Sequence, residues 1–134
     1  VDSDIFVAIN KSDDTNHIKA KKLLENLLTQ QVYFVTTNYI FSETVTVLSQ
    51  KVGHTTAVKF ISEIKTPQSD FEVYWITPEM EEEAIEIFRK QTSKNTSFVD
   101  CANMAALQLN KWDFIFSFDS IYKKNGFKIA EDLI

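Results

Sequence analysis

Only two glycines, Gly53 and Gly126, and two prolines, Pro67 and Pro78, punctuate a chain of 134 residues. Glycine supplies the positive φ angles of tight turns and proline the stops, so a chain this poor in both is built from regular elements joined by short connections. The same scarcity excludes glycine-rich phosphate cradles. Neither a P-loop nor a dinucleotide fingerprint can be written here. The length suits one domain, 1–134, with a core large enough to cover both sides of a sheet.

Apolar periodicity then places the elements. The sequence opens at Val1 without an initiator methionine, at the end of an expected first strand, and Ile5 to Asn10 turns into a short helix. Asp13, Asp14, Thr15 and Asn16 form a polar break rich in N-cap residues. From His17, the residues Ile18, Leu23, Leu24, Leu27 and Leu28 fit a helical stripe. Val32 to Val35 reads as a strand, capped by Thr36, Thr37 and Asn38. Glu43 to Leu48 alternates like a strand, but Phe41, Val45, Leu48 and Val52 recur as a helical face that Gly53 stops. Glu43 then lies at the margin of that face. A second helix carries Val58, Ile61 and Ile64, and Phe71 to Ile76 is a strand. Pro78 opens an acidic helix through Arg89.

Phe98 to Leu109 is apolar nearly all round, the pattern of a buried helix. Phe114 to Phe118 reads as a strand covered on both faces. Asp119 opens a short turn, Gly126 breaks it, and Phe127 to Ala130 forms a last strand. This alternation predicts an α/β fold, with a parallel sheet of roughly four to five strands and helices on both faces.

A formal charge of −5 argues against wrapping nucleic acid by bulk electrostatics, though not against holding it through cations bound to carboxylates. A single cysteine, Cys101, allows no internal disulfide, and a reducing compartment, the cytoplasm, is the expectation. No stretch approaches the roughly 18 apolar residues of a membrane span. His17 and His54 lie in polar, helix-starting regions and read as surface residues.

The chemistry is carried by four acids. Asp2 and Asp119 each follow an apolar strand, Asp100 starts the buried helix, and Glu43 begins a half-buried one. Singly, each has an ordinary explanation. Asp100 stands three residues after Ser97 at capping-box spacing, Asp2, Asp4 and Asp119 suit turns and caps, and Glu43 suits a helix surface. Together they fall at one end of a parallel sheet, where open α/β folds place ligands. Carboxylates gathered there repel by about 4 kcal/mol per pair at ~4 Å in an effective dielectric near ~20. Divalent cations relieve that repulsion, and an all-oxygen donor set suits Mg2+ or Mn2+.

Four segments, V-D-S-D-I-F, Y-I-F-S-E-T-V-T-V-L, S-F-V-D-C-A-N-M-A and F-S-F-D-S-I-Y, resemble in order and spacing the PIN-domain ribonucleases, most of all the small toxins of VapC type. The resemblance covers essentially the whole chain. It implies that Asp2, Glu43, Asp100 and Asp119 form the catalytic, metal-holding quartet, with Ser3, Asp4, Ser97 and Ser117 beside them. Asp4 departs from the family, which often has asparagine or serine there. After Asp119, Ser120 and Ile121 stand where relatives often carry a further polar or acidic residue.

The resemblance further implies metal-dependent hydrolysis of RNA, with one ion on Asp2, Asp100 and Asp119 and a second nearer Glu43, leaving a 5′ phosphate and a 3′ hydroxyl. It implies a cognate antitoxin and a homodimer. Two alternatives share the fold: a PIN-like module that binds RNA or protein without cutting, and a processing or decay nuclease that is not a toxin. A phosphoacceptor receiver domain also gathers acids, but needs a lysine at the acidic end of its last strand, and Lys128 lies inside the expected strand.

Overall fold

The computed structural model describes residues 1–134, which divide into two compact units, Val1–Tyr74 and Trp75–Ile134. The first unit holds α1 (Ser3–Asn10), α2 (His17–Thr29), β1 (Phe34–Thr37), α3 (Asn38–Lys51), α4 (His54–Lys65) and β2 (Phe71–Tyr74). The second holds α5 (Pro78–Lys90), α6 (Phe98–Asn110), α7 (Ser120–Lys124) and a closing 3-10 turn, Ala130–Leu133.

The first unit is a parallel crossover: β1 leaves through α3 and α4 and returns as β2 alongside itself, with Phe34 opposite Phe71 and Thr37 opposite Tyr74. A parallel pair needs such a long connection, because two strands running the same way cannot be joined by a hairpin. Gly53 makes the α3–α4 corner at φ 145°, a conformation side chains disfavour. Val52 and Gly53 both donate their amides to the Leu48 carbonyl at 2.9 Å and close off α3. Phenylalanines fill the interior. Phe6 meets Phe60 and Phe71 edge-on at 5.2 and 5.1 Å between ring centres, and Phe34 lies 5.3 Å from Phe71. These separations suit the attraction between ring edges and faces.

Several expectations are corrected here. No strand is assigned at Val1 and Asp2, where the end of a first strand was expected. Helix α1 starts at Ser3, and only Val1 lies along β1, its nitrogen donating to Val35 O at 2.7 Å and its carbonyl accepting from Thr36 Oγ1 at 2.9 Å. The β1 strand starts later than expected and takes in Thr36 and Thr37, leaving Thr37 as the N-cap of α3. On α3 the buried stripe is Ile40, Thr44 and Leu48, one residue before the expected Phe41 and Val45, while Val52 is exposed. On α2, Ala20 and Leu27 are buried while Ile18 and Leu28 face solvent.

In the second unit, Phe114–Phe118 and Phe127–Ala130 form no ladder, only a single parallel bridge between Ile115 and Ile129. The paired strands therefore number two rather than four to five. An apolar run reports that a segment is interior, and burial does not require that its backbone be paired over several residues. Ile115 and Ile129 pack with Met104, Leu107 and Tyr122 as the core of this unit. No helix is long and apolar enough to cross a membrane.

Candidate active site

In the first unit the acids stand on helices α1 and α3, which pack together. Asp2 is the N-cap of α1. Its backbone is extended, and its Oδ1 accepts the Ser3 amide at 2.8 Å. It is only 5 % exposed. As N-cap it sets a side-chain acceptor against the first amides of the helix. Asp4 lies in the first turn of the same helix, half-buried like Ser3.

Glu43 projects from the exposed side of α3, next to the buried Thr44. The helix is positioned by Thr37, whose Oγ1 accepts the Ile40 amide at 3.2 Å. His17 is a tether: Nδ1 donates to the Ala8 carbonyl at 2.7 Å, joining the start of α2 to α1. His54 is exposed.

In the second unit, Ser97 and Asp100 form a reciprocal capping box at the start of α6. The Asp100 amide donates to Ser97 Oγ at 3.0 Å, and the Ser97 amide donates to Asp100 Oδ2 at 2.9 Å. The ordinary explanation of Asp100 is thus correct, yet it leaves Oδ1 for another partner. That partner is Tyr122, whose hydroxyl donates to Oδ1 at 3.2 Å and accepts from Asn103 Nδ2 at 2.8 Å. Asp119 caps α7 and is exposed, its Oδ1 accepting the Ile121 amide at 3.0 Å. The buried Ser117 fixes the backbone before it by accepting the Asp119 amide at 3.1 Å. Since Tyr122 belongs to α7, the helix that Asp119 caps also reaches Asp100.

Each unit therefore brings two of the four acids onto packed helices, α1 with α3 and α6 with α7. No group of three or more His, Cys, Asp or Glu side chains stands together as a metal-holding set. The donors are all carboxylate oxygens, the chemistry that Mg2+ and Mn2+ prefer. Cys101 is no nucleophile: burial pushes its thiol up, and the neighbouring Asp100 charge adds to the effect.

Tyr122 and Asn103 escaped the sequence reading. The signal available was Asn103 itself, an amide on a helix otherwise apolar nearly all round, three residues beyond Asp100 and so on the same edge.

Comparison with known proteins bears on what this arrangement does. The PIN domain profile matches residues 1–128. The 23S rRNA-specific endonuclease VapC20 of Mycobacterium tuberculosis, from strains CDC 1551 / Oshkosh and ATCC 25618 / H37Rv, is 27% identical over 127 residues, spanning 95% of this chain and 93% of that protein. The crystal structure of M. tuberculosis VapC20, described as a sarcin-ricin loop cleaving toxin, superposes with a TM-score of 0.81 at 24% identity. The superposition covers 94% of this chain and 93% of that one, and speaks for the fold.

Proposed function

Because the chain belongs to the PIN-domain family, we propose that it is an endoribonuclease toxin whose Asp2, Glu43, Asp100 and Asp119 hold the magnesium or manganese ions needed to hydrolyse RNA phosphodiesters. The observation that carries this reading is the likeness, over 95% of the chain, to an rRNA-specific endonuclease. Large-subunit rRNA is accordingly the substrate class to test first.

Ions held by Asp2, Glu43, Asp100 and Asp119 would supply an activated water and counter-charge for the phosphate and the leaving oxygen. The chain's own residues prepare for them. Asp100 is held through both oxygens, so its direction is set before any ion arrives. Asp2 is held at the start of α1 by the Ser3 amide, which donates to its Oδ1. Asp119 and Glu43 are exposed, on the side from which substrate would approach in this reading. Ser97 fixes Asp100 with its amide, Ser117 fixes the approach to Asp119 with its hydroxyl, and Ser3 steadies Asp2 with its amide. Asp4 adds negative charge beside Asp2. A toxin of this kind works in the cytoplasm as a homodimer, beside an antitoxin whose tail covers the carboxylates.

The test is incubation of purified protein with bacterial ribosomes and with free 23S rRNA in Mn2+, with ends mapped by primer extension. Cleavage at a discrete position, lost on chelation and in Asp100→Asn, is the expected result. Uncut RNA, or cleavage that survives Asp100→Asn and chelation alike, would overturn the proposal.

A further inference from the structure

We infer that Asn103 and Tyr122 form a relay that aims the Asp100 carboxylate, which makes Tyr122 a positioning residue for the metal ligation proposed above; the inference rests on that reading. Tyr122 is fully buried on α7, and Asn103 is 5 % exposed on α6. The Asn103 amide donates to Tyr122 Oη at 2.8 Å, and Tyr122 Oη donates to Asp100 Oδ1 at 3.2 Å. A phenol carries one proton. With its oxygen receiving the amide hydrogen, that proton goes to the carboxylate oxygen within reach, so the relay runs one way, from amide to hydroxyl to carboxylate.

The Ser97 amide holds the other oxygen, Oδ2, at 2.9 Å. Donors on both oxygens stop rotation of the carboxylate about its own axis and leave its remaining lone pairs in fixed directions. Capping alone needs only the Ser97 half of this arrangement. Nor does packing call for the rest. Tyr122 sits in a cluster with Met104, Leu107, Ile115 and Ile129, where a phenylalanine would serve. Asn103 stands among buried alanines and methionine on α6. Two polar groups set in such surroundings are costly unless bonded, and here they form one chain that ends on Asp100.

Mn2+ binding, followed by the electron paramagnetic resonance signal of free Mn2+, separates this role from a structural one. Tyr122→Phe is expected to weaken Mn2+ binding about 10-fold, the scale typical of groups that orient metal ligands. Because this change also removes the hydroxyl that accepts from Asn103 Nδ2, Asn103→Leu/Tyr122→Phe removes both polar groups, and it is expected to show the same loss of affinity in a folded protein. Asp100→Asn serves as the control for the ligand itself. If Asp100→Asn loses Mn2+ while the single or the double relay variant binds it as tightly as the unaltered protein, the positioning role is overturned and the metal reading stands. If Asp100→Asn itself binds Mn2+ normally, the metal reading fails and the relay's purpose goes with it.

Discussion

Ser97 serves two purposes through two atoms: its hydroxyl accepts an α6 amide, and its own amide holds Asp100. Ser97→Ala removes only the first. Loss of an N-cap hydroxyl costs about 1 kcal/mol, so urea unfolding should show a lower midpoint at unchanged slope. A midpoint equal to that of the unaltered protein would mean that the capping box contributes nothing. Cys101 gives a second prediction at this scale. Burial first, and then the Asp100 charge, raises its thiol, so at pH 8 it stays protonated and enclosed. A chromogenic disulfide reagent should therefore react slowly with the native protein and rapidly in denaturant. Fast reaction in the folded state would contradict both the burial and the shift. The spacing of Ser97 and Asp100 made the cap readable in advance. The bond from Tyr122 was not readable, because nothing local in a chain says which of its hydroxyls will meet a carboxylate 22 residues away.

At the scale of the element, α3 shows what periodicity can and cannot say. The helix, its stop near Gly53 and its cap among Thr36, Thr37 and Asn38 follow from local rules that need no knowledge of neighbours. The buried face followed only at Leu48, because Phe41–Val45–Leu48–Val52 and Ile40–Thr44–Leu48 share that residue, and packing against α1 and α4 selects the second. Ile40→Ala should therefore cost about 2–5 kcal/mol. Val52→Ala, at a residue 42 % exposed, should stay within about 0.5 kcal/mol. Comparable losses for the two in chemical denaturation would restore the face that periodicity first suggested. The short strands were misread for a related reason: Phe114–Phe118 is apolar because it is interior, and only Ile115 turns out to bridge.

For the whole molecule, if the proposed activity on RNA holds, an acidic chain of net charge −5 must meet that polyanion through something other than its own field. If the four carboxylates hold that counter-charge, ion binding and folding are linked: an ion bound only by the folded state stabilises it by about 2.7 kcal/mol at 100 times its dissociation constant. Mn2+ should then raise the thermal midpoint of the unaltered protein, and a chelator should reverse the rise. Asp2→Asn and Asp119→Asn, one in each unit, should each lose most of that rise. Both should keep the metal-free midpoint, since asparagine caps a helix about as well as aspartate. Calorimetric scans with and without Mn2+ decide the matter. A midpoint indifferent to Mn2+, or a rise that survives both substitutions, would mean that these carboxylates do not bind ions as a set, and that the acids serve as helix caps and surface charge alone.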